Sequence, residues 1–395
     1  MIGSLELYGG RIVTPTGVLE EGRVIVTDGR IAHVGADAGP SVGSGRAIDA
    51  RDRIVMPGLV DLHGDDLERH RQPRSGARVD LPTALTASDR SNLLAGVTTK
   101  FHAVAFEDAP AENRRLDDAV ALARELAAET YTLADNRLHA RCSLDEESVA
   151  TLERVSSEFD VDLVSVMDHA PGRGQFGEES FTRHYVEERG WDPDAAAEAG
   201  TERAERSAAE RTALTARLAT LAARVRAPLA SHDDETPRGV DRMAEIGTSI
   251  SEFPVTLAAA RRARERGLSV AMGAPNLVRG ESLWGNLSAR QAVEAGLVDV
   301  LCSDYHPPSL LEAAFVETDE PLHVRVNRVT NAPARTVGLQ DRGRIESGAR
   351  ADLLVVDPAS HPTVERVIVG GRERFHAAPR APDPVRNHPR FPTAS

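Results

Sequence analysis

The stretch MPGLVDLHGDD, residues 56–66, carries a largely apolar run that ends abruptly in imidazole and carboxylate. GLVDLH reads as a buried strand. His63 and Asp65 stand two residues apart, so on a strand both side chains leave the same face. This run is the first of eight. The others are GVTTKFHAVAF, RLHARCSL, VDLVSVMDH, APLASHDD, GTSISEFP, LSVAMGAPN and LVDVLCSDY. Helical candidates separate most of them, among them RRLDDAVALARELAAE and the Ala/Arg/Glu-rich segment 194–226. Eight buried strands alternating with helices predict an α/β fold, a (β/α)8 barrel.

Outward from the eight runs the pattern changes. SLELYGGRIV, RVIVTDGRIAHVG and RAIDARDRIVMP precede them, and GRIESGARADLLVVDP and VERVIVGGRERF follow. These read as short strands and turns. The expected organisation is a composite β-sandwich domain from 1–56 plus 338–375, a barrel over 57–337, and a tail over 376–395. The tail is rich in Pro and Arg and has no core of its own.

The chain has 395 residues, 41% of them hydrophobic, which suits one large barrel with a small accessory domain. A formal net charge of −14 argues against nucleic acid as a partner. It leaves room for a phosphorylated small-molecule substrate in a local basic pocket. Cys142 and Cys302 are too few for a disulfide framework. The opening MIGSLELYGGRIVTPTG lacks the basic and apolar regions of a signal peptide, and no run approaches the roughly 20 apolar residues of a membrane span. A cytoplasmic enzyme without membrane partners is expected, as a homo-oligomer.

Polar residues gather where the runs end: His63, Asp65, His102, Asp168, His169, His232, Glu252, Asn276 and Asp304. Barrel active sites lie at the C-terminal ends of the strands, so these residues are expected to converge. Imidazoles and carboxylates hold zinc or a similar divalent ion, with one position kept for water. The expected ligands are His63, Asp65, His169, His232 and Asp304, for one or two ions per chain. Asp168 competes with His169. Strand parity does not separate two adjacent residues, and His169 is preferred because a second ion favours imidazole.

MPGLVDLH, with GRIESGARADLLVVD far downstream, resembles the amidohydrolase superfamily. Within it, HGDDLERHRQPR, SVMDHAPGRGQF, LASHDDET, SEFPVTLAAARRA, MGAPNLVRG and SDYHPPSLLEAAF are similar to the α-D-ribose 1-methylphosphonate 5-triphosphate diphosphatase family. The resemblance covers most of the chain. It implies a metal-dependent hydrolase in which metal-bound hydroxide attacks the triphosphate of a ribose 1-phosphonate and releases diphosphate, with Asp304 as the base. Arg74, Arg173, Asn276, Arg279, Asn286, Tyr305 and Asp168 are the substrate-binding candidates. Two departures leave open an alternative, hydrolysis of a C–N bond in an amide or ring. Ser143 stands where the family writes a bridging Glu, and Leu283, before Trp284, falls where it writes a Ser-His-Ser-like segment.

Lys100, in GVTTKFHA (96–103), is the only lysine among 47 basic residues, and the other 46 are arginines. A lysine near the metals can be carboxylated by CO₂, and its carbamate can bridge two ions. That requires a neutral amine, which burial near cations favours. A carbamate on Lys100 is therefore expected to replace the missing Glu, with a phosphate contact as the competing role.

Overall fold

The computed structural model describes residues 4–36, 45–74, 76–109, 114–168, 207–282, 285–359 and 361–377. Five strands come first: β1 (Leu5–Thr14), β2 (Gly17–Thr27), β3 (Arg30–Gly35), β4 (Arg46–Asp49) and β5 (Ile54–Pro57). Eight follow, one on each run read from sequence: β6 (Leu59–Gly64), β7 (Val97–Phe106), β8 (Asp135–Ser143), β9 (Leu163–Met167), β10 (Leu229–His232), β11 (Ile250–Glu252), β12 (Ser269–Gly273) and β13 (Val300–Cys302). The last are β14 (Leu353–Asp357), β15 (Thr363–Val369) and β16 (Arg372–His376).

Strands from the two ends of the chain share one sheet, ordered β16-β15-β14-β5-β1-β2-β3, with β4 beside β1. The join is antiparallel, β14 against β5, with Leu354 opposite Met56. Alternation in β1 and β2 buries Leu7, Ile12, Val24 and Val26 in a core shared with Val55 and Leu353.

The middle eight strands form a parallel sheet in sequential order. Such strands are covered on both faces and therefore read as near-continuous apolar runs; all ten residues of β7 are buried. The sheet closes on itself. Gly64 bridges Asp304 in parallel, Asp304 N–H donates to His63 O at 2.8 Å, and Asp65 N–H donates to Asp304 O at 2.7 Å. Helices pack outside, several begun by a short polar side chain. Asp145 accepts from Ser148 N at 2.8 Å to open Glu146–Glu158, and Thr236 accepts from Gly239 N at 3.1 Å to open Pro237–Glu245. A cap of this kind is worth about 1 kcal/mol. The helix Ala208–Val225 buries Leu214, Leu218 and Leu221 along one stripe, as a period of 3.6 requires. Among the described residues, no helix is long and apolar enough to cross a membrane.

Candidate metal centre

Closure of the barrel brings His63, Asp65, His232, Glu252 and Asp304 to one rim, at or just past the ends of β6, β10, β11 and β13. Backbone geometry helps to aim them. Asp304 has φ 54° and Asp233 φ 57°, a left-handed conformation that Asp tolerates better than most residues. Glu252 is the hub. Its Oε1 accepts from His63 Nδ1 at 3.1 Å, and its Oε2 accepts from His232 Nδ1 at 3.2 Å and Ser165 Oγ at 2.7 Å. The His63 and His232 rings stack with centroids 5.5 Å apart. A carboxylate on the Nδ1 of each ring fixes the tautomer and turns Nε2 toward the rim.

His63 Nε2 lies 3.4 Å from Asp65 Oδ1, and Arg141 Nη2 lies 3.3 Å from that same oxygen. Asp65 Oδ1 is shielded from solvent yet makes no well-directed hydrogen bond. Burial opposes charge on His63, but Glu252 and Asp65 outweigh it and push the imidazole up to about 10. Asp65 is held well below the ordinary carboxylate range because Arg141 and His63 offset its burial. Asp304 goes the other way: loss of solvent and the nearby Asp65 carboxylate push it up to about 7. Two carboxyl groups share the site, and His63 with Arg141 keeps Asp65 charged but not Asp304. A buried orphan oxygen, two oriented imidazoles and a carboxyl that resists ionisation fit a divalent cation.

His63, His139 and Glu252 also place ligand-type atoms within 4.8 Å of one another. His139 is already engaged on both ring nitrogens, with Leu62 O at 2.9 Å and Ser165 Oγ at 2.5 Å. Burial lowers it to about 3. Its place is behind the imidazoles, and the set His63, Asp65, His232 and Asp304 is the better candidate for a cation.

Lys100 is elsewhere. Its ammonium, fully buried, donates to Asp61 Oδ2 at 2.6 Å and Ser303 Oγ at 3.1 Å and lies 2.8 Å from Asp66 Oδ1. Three acceptor atoms thus face the three donors of an ammonium, the Asp66 contact being an ion pair rather than a well-directed hydrogen bond. Asp66 Oδ2 accepts from Ser88 and Asn92, each at 2.7 Å, and Asp61 Oδ1 accepts from Ser303 N at 2.9 Å. Burial disfavours the charge, but Asp61 and Asp66 more than offset it and raise the amine above its ordinary value. The carbamate expected from sequence does not suit this setting: carboxylation needs a neutral amine and would set a third anion against two carboxylates. Gly64 makes the cluster possible. A Cβ there would lie 1.8 Å from Lys100 Nζ.

Other candidates scatter. Arg279 Nη1 donates to Tyr305 Oη at 3.1 Å, next to Asp304. Asn276 Oδ1 accepts from Ala289 N at 2.9 Å, a structural use of that oxygen. Asp168 Oδ2 lies 3.7 Å from Arg211 Nε and shares with His232 the lining of a cleft of about 540 Å³. Arg74 is exposed in a tight turn with Ala77, and Asn286 lies half-buried before the helix Ala289–Glu294. Ser143, buried at the end of β8, supplies no carboxylate. His169, Arg173 and Leu283 lie outside the described residues.

Sequence reasoning assigned no role to Asp61, Asp66, Ser303, His139, Ser165 and Arg141. For Asp61 a signal existed: it stands two residues before His63 and shares its strand parity.

No family model matches the chain. Alpha-D-ribose 1-methylphosphonate 5-triphosphate diphosphatase of Escherichia coli (strain K12) is 37% identical over 349 residues, covering 83% of this chain and 90% of the relative. A dihydroorotase of Pelotomaculum thermopropionicum is 34% identical over 87 residues, 22% of this chain and 19% of that protein. Among solved structures, dihydropyrimidinase from Brevibacillus agri NCHU1002 has a TM-score of 0.55 at 14% identity, covering 94% of each chain. D-Hydantoinase from Thermus sp. has a TM-score of 0.57 at 14% identity, covering 94% of this chain and 95% of its own. The last two share the fold. Identity over nearly the whole of the Escherichia coli enzyme, with a parallel eight-stranded barrel joined to a mixed sheet, shows that the chain belongs to the α-D-ribose 1-methylphosphonate 5-triphosphate diphosphatase family of amidohydrolase-superfamily hydrolases.

Proposed function

We propose that this hydrolase cleaves the triphosphate of a 5-phosphorylated ribose 1-phosphonate and releases diphosphate. The observation that carries the reading is the convergence of two imidazoles and two carboxyls of opposite charge preference on one rim, in a chain related to an enzyme of that activity. His63, Asp65, His232 and Asp304 would hold a divalent cation, zinc by the chemistry of the donors. When bound, such an ion lowers the pKa of a coordinated water and neutralises charge developing on phosphoryl oxygens. Glu252 keeps both rings aimed through their Nδ1–H groups. Asp304, whose carboxyl sits at about 7 without a cation, is the group to take the proton from the attacking water. Arg279 and Tyr305, beside it, are within reach of substrate oxygens.

A second reading, C–N hydrolysis, draws on Ser143, which leaves the end of β8 without the carboxylate the family resemblance calls for. One assay decides between them. Zinc-loaded protein is offered a 5-triphosphorylated ribose 1-phosphonate and a set of cyclic imides and amides, followed by phosphorus and carbon NMR. Diphosphate release is expected, and turnover confined to C–N substrates would overturn the proposal.

A further inference from the structure

Arg69 and Arg279 come from different parts of the barrel and meet at one side chain. Arg69 lies in the helix Asp66–Arg71 that follows Asp65, and Arg279 ends the helix Ala274–Arg279 that follows β12. Between them stands Tyr305, the residue after Asp304. The Arg69 guanidinium carbon lies 5.9 Å from the centre of the Tyr305 ring, with Nη1 3.4 Å from its carbonyl oxygen. Arg279 Nη1 donates to the phenol oxygen at 3.1 Å.

Neither arginine has a carboxylate partner among the described residues. Arg279 meets Glu281 only through the backbone carbonyl, at 2.9 Å. Glu68, on the helix of Arg69, pairs with Arg114 at 3.6 Å. Arg217, Arg262 and Arg328 all hold acids. Other described arginines also lack an acid, but these two share one tyrosine beside Asp304. Two guanidinium groups held on one side chain, neither paired with an acid, favour an anion nearby. Each guanidinium has five N–H donors and here uses one or two, so most remain for a bidentate oxygen ligand. The place is also apt. Loops after the seventh and eighth strands of such barrels often hold phosphate, and Arg279 and Tyr305 come from those loops.

We propose that Arg69 and Arg279, both held against Tyr305, form the subsite for the diphosphate leaving group of a triphosphate monoester. The assignment rests on the phosphoryl-transfer reading of the neighbouring rim. Water forms a new bond to the phosphorus nearest the sugar. The bond from that phosphorus to the diphosphate oxygen breaks, and its electron pair departs on the diphosphate. Of the water's two protons, one ends on the diphosphate and one in solvent. The two guanidinium groups face the group on which charge accumulates.

The test uses the zinc-loaded full chain and inorganic diphosphate as the probe, measured by calorimetric titration and as a product inhibitor. Both arginines are exposed, so Arg69→Ala/Arg279→Ala is expected to fold. A charge-assisted contact to phosphate is worth about 1.5–3 kcal/mol, or about tenfold or more. The double variant should bind diphosphate at least about tenfold more weakly, raise KM for the triphosphate more than it lowers kcat, and recover partly as Arg69→Lys/Arg279→Lys. A double variant that matches wild type in diphosphate binding and KM, while wild type hydrolyses triphosphates, overturns the subsite alone. Wild type that neither hydrolyses triphosphates nor binds diphosphate overturns the phosphoryl-transfer reading as well.

Discussion

Two clusters of buried charge lie side by side on β6, and they are built in opposite ways. Around Lys100, one ammonium meets two carboxylates and a hydroxyl, and the other carboxylate oxygens are answered by Ser88, Asn92 and the Ser303 amide. Around His63, Asp65 Oδ1 lacks a directed partner and Asp304 resists ionisation. The first cluster carries its own cation, although Asp66 Oδ1 meets it as an ion pair without a well-directed hydrogen bond. The second asks for a cation that the chain itself does not supply. The difference lies in counter-charge: two carboxylates flank a resident ammonium in the first, and in the second Asp304 stays hard to ionise beside Asp65. The two share a backbone: Asp61 and Asp66 of the closed cluster bracket His63 and Asp65 of the open one, and Ser303 precedes Asp304. Lys100 therefore ties the segments that carry the rim without itself belonging to it.

This contrast predicts different failures. Asp304→Asn should lose activity by about 10²–10⁴-fold, the usual worth of a general base. Unfolding of the metal-free protein should be unchanged or slightly harder, because a neutral amide replaces a carboxyl that resists charge. Lys100→Met should do the reverse. Breaking a buried pair costs about 3–5 kcal/mol, so denaturant unfolding should shift by that much. If Asp304→Asn destabilises the metal-free chain as much as Lys100→Met does, the distinction between the clusters fails.

Gly64 sharpens the comparison. Gly64→Ala places a methyl group on the Lys100 ammonium and should itself destabilise. In a Lys100→Ala background the clash with Lys100 is gone and only Asp61 Oδ2, at 2.9 Å, stays close, so a double-mutant cycle should show a coupling of about 0.5–3 kcal/mol. Additive effects would mean that the two residues do not compete for one space.

The pH dependence is the gentlest probe. Asp66 is held low by Lys100, which outweighs burial, so its contribution is present above the unfolded carboxylate value of about 3.9 and is lost as pH falls below it. Lys100 is raised above its unfolded value of about 10.4, so its contribution holds below that value and is lost only as pH rises through the higher folded one. The stability difference between wild type and Lys100→Met should narrow as pH falls, starting above the unfolded value of about 3.9, because burial raises the stranded carboxylates of the variant once Lys100 is gone. A difference that grows in acid would contradict the ion-pair account.

Much of this was legible in sequence. All eight barrel strands were visible because parallel strands buried on both faces leave apolar runs that surface loops interrupt. His63, Asp65, His232 and Asp304 stood out by ending those runs. The partners of Lys100 did not. Its singularity drew attention, but Asp61 lies 39 residues away and meets it through the pairing of β6 with β7, while Ser303 lies 203 away and meets it through barrel closure. An acid inside an apolar run reads as part of the strand, so Asp61 passed unremarked. Glu252 was seen as a strand end, yet its role depends on two imidazoles reached 189 and 20 residues away. Local pattern reports which face a residue takes; charge pairing across the barrel is settled by closure.

The most direct measurement is anomalous diffraction at the zinc edge from crystals of zinc-loaded protein. A peak is expected against His63, Asp65, His232 and Asp304, with Lys100 density ending at its ammonium between Asp61 and Asp66. A metal peak bound to Lys100, with added density beyond Nζ, would contradict the account and restore the carbamate.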